Sequence, residues 1–244
     1  MTNFFRTLRV NRTRSAMARM HEEKPVDIIQ TIDRVAEKMA PGRSPSFAEA
    51  HVIKALEEID LNDSVGRLKL SKDLNLGEGA ARTLIKHLKS ERLIRVSKSG
   101  ISLSASGREL LQDLKSLVSE PVQISSTPLT LGPMNVAVRV TGVNASVKYG
   151  LEQRDAALKA GAKGATTLVF SGNELLIPGT REDASKSDPL IRTSLSRMDL
   201  RDGDVVIIGS ADEKIDAELG ARAAALELLK SATWKHRSKP GSSK

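Results

Sequence analysis

The chain has 244 residues, a formal net charge of +8, no cysteine and only 2% aromatic residues. That length suits one large domain or two modest ones, each able to bury its own core. Lack of cysteine excludes disulfides, thiol nucleophiles and thiolate metal sites, scarce aromatics argue against a base-stacking surface, and the positive charge favours a polyanionic partner.

From the amino terminus, Met1 to Met20 carries Arg6, Arg9, Arg12, Arg14 and Arg19 and no acid. The composition superficially resembles an Arg-rich transit peptide. Disorder is the expected reading, with added phosphate affinity as a possible use of such an arm; Met17 and Met20 are alternative starts. Ile28, Ile29, Ile32, Val35 and Met39 fall at helical spacing, for a helix packing on the next domain or on a dimer partner. Pro41 to Pro45 then interrupts the chain.

Ser46 to Ser104 is the most strongly patterned stretch. Phe47, Ala50, Ile53 and Leu56 mark a helix to Ile59, with Ser46 and Glu49 spaced as a capping box. A second helix runs over Val65–Leu74 with Leu68, Leu70 and Leu74 as its inner side. After a turn at Asn75–Gly79, a third places Ala80, Ala81, Leu84, Ile85 and Leu88 inward and Arg82, Thr83, Lys86 and Lys89 outward. Leu93–Val96 and Ile101–Leu103 read as a hairpin with a basic tip at Ser97–Gly100.

This order, with GEGAARTLIKHLKSERLI over residues 77–94, resembles the winged helix-turn-helix domain of prokaryotic transcription factors. The resemblance implies that the third helix enters the major groove of double-stranded DNA while the wing touches the backbone. Arg82 and Lys86 share one face, suited to phosphates and guanine edges; Thr83, His87, Lys89, Arg95 and Lys98 complete the expected DNA-binding set. The alternative is a winged helix used for protein contacts, with a solvated basic face.

Ser104 or Ser106 can cap a helix to about Val118, striped by Leu110, Leu111, Leu114 and Leu117, for dimerisation, linkage or packing. Glu120-Pro121 ends it. Strands then come at 122–131, broken at Pro128, and at 134–141, with a helix at 147–160. A hairpin over 165–177, a polar loop at 178–187, a short helix opened by Asp188-Pro189, a strand at 204–209 and an Ala-rich helix at 212–230 complete the order. The fold class expected is α+β, a winged helix followed by an α+β sandwich whose helices cover one sheet face. The domain limits read as 1–45 for the arm and possible helix, 46–120, 121–230, and 231–244 for a basic disordered tail.

Three polar features stand out in the second half. Glu152, Gln153, Arg154 and Asp155 cluster at a helix start, where they serve either a polar ligand or the helix dipole. Gly161 to Thr167 brings two glycines beside Thr166 and Thr167, but its spacing is not that of a Walker A loop. Ser210 and Asp212 sit at a strand-to-helix junction, a place for an anion or for ordinary capping.

YGLEQRDAALKAGAKGATTLVFSGNELLIPG (149–179) and DGDVVIIGSADEKIDAELGARAAALELL (202–229) resemble an archaeal family of regulators that join a winged helix to a domain of unknown function. The resemblance implies a transcription factor with a ligand-sensing or dimerising domain, and therefore DNA, a second copy and a small-molecule effector as partners. No catalytic residue, metal or cofactor is expected: the histidines are scattered and none lies between His87 and His236. An enzyme using Glu152, Asp155 or Asp212, and an architectural DNA-binding protein, are the alternatives. No apolar run reaches the roughly 20 residues that span a bilayer, so no membrane partner and a cytoplasmic location are expected.

Overall fold

The computed structural model describes residues 27–37 and 47–237. The arginine-rich arm, Val26, Met39, Ser46 and the tail after Arg237 lie outside the described residues. Helix α1 covers 27–37 and inserts Ile28, Ile32, Val35 and Ala36 into the core of the following domain, so that domain begins before residue 46. Helix α2 (Glu49–Leu61) starts with Ala48 at its N-cap, where the ring nitrogen Nδ1 of His51 accepts the Ala48 N–H at 3.1 Å. Burial lowers the His51 pKa from its ordinary value, which suits the neutral ring that an acceptor requires.

Helix α3 (Arg67–Asp73) is shorter than its apolar pattern suggests. Leu70 and Leu74 are buried, but Leu68 is 57% exposed, contrary to the sequence expectation. Two residues on a helix point about 200° apart, so Leu68 cannot share the side used by Leu70. Asn75, at φ 51°, closes the helix in the left-handed region; its N–H bonds to Lys72 O and that of Leu76 to Ser71 O. This Schellman motif turns the chain into α4 (Glu78–Ser90), where Ala81, Leu84 and Leu88 face the core.

The wing is β1 (Ile94–Ser97) paired antiparallel with β2 (Gly100–Leu103). Val65 adds a third short rung, exchanging two 2.9 Å hydrogen bonds with Ile101. The segment before α3 is thereby pinned to the wing. Helix α5 (Ala105–Leu117) is capped by Ser104, whose Oγ accepts from Gly107 N and donates to Arg92 O.

The second domain contains β3 (Val122–Ile124), β4 (Met134–Val140), α6 (Leu151–Lys159), β5 (Gly164–Ser171), β6 (Glu174–Leu176), α7 (Ala184–Ser187), α8 (Ile191–Ser194), β7 (Val205–Ala211) and α9 (Lys214–Arg237). The sheet order is β3-β4-β7-β5-β6, antiparallel throughout. Alternation sorts the strands into two apolar faces. Val136, Val138, Val140, Val205 and Ile207 meet the small residues Ala157, Ala217, Ala221 and Ala224 of α6 and α9. Ala137, Leu168, Val206 and Ile208 meet Ala184, Ile191, Leu195 and Met198 instead.

The sheet is therefore covered on both faces, not on one. The short helices α7 and α8 fill the second, and α7 arises in the stretch read as a polar loop. Asp188 does organise the start of α8, its Oδ1 accepting from Leu190 N at 3.1 Å. At the carboxyl end, α9 continues to Arg237 instead of stopping near Lys230. Its small face lies so close to β7 that a Cβ on Gly209 would stand 2.2 Å from Ala217 O.

The two domains meet along α9 and α2. Lys54 pairs with Glu58 at 2.9 Å and with Glu218 at 3.0 Å, while Arg222 pairs with Glu57 and, at 2.7 Å, with Glu218. Burial works against the charge on Glu218, but Arg222 and Lys54 outweigh it and hold its pKa below the ordinary value. At Glu57 burial prevails over Arg222 and raises the pKa. The end of α5 enters the sheet directly: Ser119 N donates to Arg139 O and Thr141 N to Leu117 O, both at 2.9 Å.

This packing sets the outcome of two substitutions. Gly209→Ala forces α9 from the sheet and lowers stability by about 2 kcal/mol or more in urea unfolding. Glu218→Gln strips a shared countercharge from two buried cations and costs about 3 kcal/mol at neutral pH, more than Glu57→Gln. Because the folded pKa of Glu218 lies below its unfolded value of about 4.3, its contribution is present above that value and lost as pH falls through the folded one. Glu57 acts in the opposite sense, since its folded pKa is the higher. Unfolding curves across that acid range check the sign: E218Q flattens the acid loss of stability and E57Q steepens it.

Candidate nucleic-acid interface and interdomain cleft

The outward face of α4 is assembled by helical periodicity. Arg82, Lys86 and Lys89 stand at i, i+4 and i+7, and with Thr83 all four side chains are exposed. Thr83 Oγ1 donates to Gly79 O at 3.0 Å, so its hydroxyl is partly committed to its own helix. The first turn of α4 is open: no side chain caps Gly77, and nothing lies within 4 Å of where a Cβ would stand on Gly77 or Gly79. Free N–H groups and the positive helix end favour an anion there, against the exposed carboxylate of Glu78 in the same turn.

The wing adds Arg95 and Lys98, both exposed. Lys98 occupies the turn joining Ser97 to Gly100, while Arg95 pairs in register with Ser102. Among the described residues, no ion pair neutralises Arg82, Lys86, Lys89, Arg95 or Lys98. Arg67 was not singled out from the sequence. It begins α3 immediately after the Val65 rung, is exposed, and has no ion pair among the described residues. The signal available for it was a lone arginine after Gly66, which becomes informative only once Val65 is known to join the wing.

His87 is a correction. It is 8% exposed, its Nδ1 lies 2.9 Å from Val35 O, and its ring packs edge-on against Phe47. Standing three residues after Leu84, it follows that residue into the core and ties α4 to α1. It is not available to DNA in this arrangement.

The eight polar residues of the second domain do not converge. Ser210 is fully buried, donating to Asn135 Oδ1 at 2.7 Å and accepting from Leu131 N at 3.1 Å. It locks the sheet, and its hydroxyl is committed to Asn135 and Leu131. Thr166 lies on the α7–α8 side of the sheet and donates to Leu129 O. Asp212 is exposed and pairs with Lys163 at 2.6 Å, and Arg154 pairs with its neighbour Asp155 at 3.0 Å.

Glu152, Gln153 and Asp155 instead line a cleft beside α6 and α9. It comprises two adjoining hollows of about 400 and 420 Å³ that share Glu152, Glu227 and Lys230. The first reaches Ala48 and Glu49 of the DNA-binding domain; the second reaches Lys148, Gln153 and Ser231. Lys230 bridges the domains through Asp33 at 2.8 Å and Glu49 at 3.2 Å. Burial opposes the Lys230 charge, but these carboxylates outweigh it and raise its pKa above the ordinary lysine value.

Gln153 and Thr167 are buried between α6 and β5, and neither Gln153 Oε1 nor Thr167 Oγ1 has a hydrogen-bond partner. Gly150, at φ 76°, lets α6 approach this strand: a Cβ there would meet Thr167 at 3.1 Å. Among the described residues, no group of three or more His, Asp or Glu side chains is placed to hold a metal ion, and no helix is long and apolar enough to cross a membrane.

Two family models match the chain. Residues 52–118 match the CggR N-terminal DNA binding domain, and residues 131–228 match DUF4443, a domain of unknown function. Among solved structures, hypothetical protein PH0730 from Pyrococcus horikoshii OT3 is similar, at 26% identity over 78% of this chain and 95% of its own, with a TM-score of 0.59. No curated protein matches the chain. The chain thus carries an amino-terminal DNA-binding domain of winged-helix type followed by a DUF4443 domain.

Proposed function

We propose that the protein is a sequence-specific, dimeric transcriptional regulator that reads double-stranded DNA with α4 and the wing. The observation carrying this reading is the exposed, unpaired basic face of Arg82, Lys86 and Lys89 beside Arg95 and Lys98. In this geometry α4 supplies base contacts and the wing and the first turn of α3 supply phosphate contacts, which set register without reading sequence. The second domain senses an effector or joins the two copies, and carries out no catalysis. Two copies are needed to read both halves of a two-fold operator.

Arg82→Ala and Lys86→Ala test the reading by fluorescence titration of operator DNA at several salt concentrations. Loss of a base-reading pair costs about 1–3 kcal/mol and relaxes specificity at one position. Loss of a phosphate contact weakens all sequences alike and reduces the salt slope by about 1. Unchanged affinity in both variants contradicts the assignment of α4. Sedimentation of the free protein should give a dimer; a monomer both free and on a two-fold operator contradicts the dimeric part.

A further inference from the structure

The cleft between α6, α9 and the start of α2 combines an open hollow, an unpartnered buried amide oxygen and charges of both signs. Its 420 Å³ hollow is within the range of small-molecule sites. Gln153 lines it at 1% exposure, with Oε1 lacking a partner. An unsatisfied buried amide costs about 1–3 kcal/mol, a cost that a ligand donor removes. Charges of both signs surround the same space: Lys148 and Lys230, with Glu152 and Glu227.

Lys148, Glu152 and Glu227 form no ion pair among the described residues. Cations and carboxylates that line one hollow without neutralising each other suit a molecule carrying both charges. We propose that this cleft binds a small zwitterion of the amino-acid class. Its carboxylate meets Lys148 and Lys230, its ammonium meets Glu152 and Glu227, and an N–H donor satisfies Gln153 Oε1.

The site deepens the regulatory reading and rests on it for its purpose. Lys230 is held by Asp33 of α1 and Glu49 of α2, both in the DNA-binding domain. A ligand carboxylate competes with them for the same ammonium, and so alters the hold of α9 on the domain that carries α4. The coupling is a difference in contacts between liganded and free states, as linkage requires.

Calorimetric titration of the full chain with the common L-amino acids, without DNA, tests the site apart from DNA reading. One or a few should bind, while acetate and methylamine alone should not. Gln153→Met should leave the free protein as stable as before or more so, since no hydrogen bond is lost, yet weaken the amino acid about tenfold or more. Asp33→Asn, which loosens Lys230, should tighten it. Absence of binding by every amino acid overturns the site even if α4 reads DNA; equal binding by Q153M does the same. Binding by acetate alone with the strength of an amino acid overturns the zwitterion and assigns the hollow to anions.

Discussion

Burying two cations and their carboxylates along a helix shared by both halves is the constraint on which this architecture depends. Arg222 and Lys54 are almost wholly enclosed, and Glu218 touches both. Charges so placed must stay paired, because a lone ion in that setting costs far more than a missing surface bridge. α9 meets the sheet with alanines packed against Gly209 of β7, and meets α2 with Arg222 and Glu218. Leu226 of the same helix reaches the winged-helix core, while Ile29 of α1 reaches the core of the second domain. Relative movement of the domains therefore has to rearrange this helix.

The distribution of charge separates paired from unpaired cations. Lys54, Arg222 and Lys230 each have carboxylates within ion-pair distance at the junction. Arg82, Lys86, Lys89, Arg95 and Lys98 stand in solvent on α4 and the wing. Solvation of that second set costs little in the free protein, and on the proposed reading counterions released from DNA by it supply affinity. The cleft lies on the α6–α9 side and adjoins the start of α2, where Lys230 meets Asp33 and Glu49.

Much of the winged helix was legible because local signals agreed with the fold. Leu84 and Leu88 repeat at helical spacing, Ser104 is a cap with a real partner, and the hairpin matches β1 and β2. What failed was side assignment, which needs the neighbouring element. Leu68 looked internal by type but lies opposite Leu70; His87 looked polar and outward until α1 and Phe47 enclosed it. In the second domain the strand order in space and the covered second face depend on long-range pairing, as does the burial of Ser210 against Asn135. Gln153 was legible as polar at a helix start, but its missing partner was not.

Selection from a pool of genomic DNA fragments at near-physiological salt, followed by sequencing, bears most directly on the central claim. Reading by α4 in a two-fold dimer predicts enrichment of a short palindrome with half-sites one helical turn apart or a multiple of it. Tight binding at low salt with no enriched sequence contradicts that account, because phosphate contacts alone then explain the affinity.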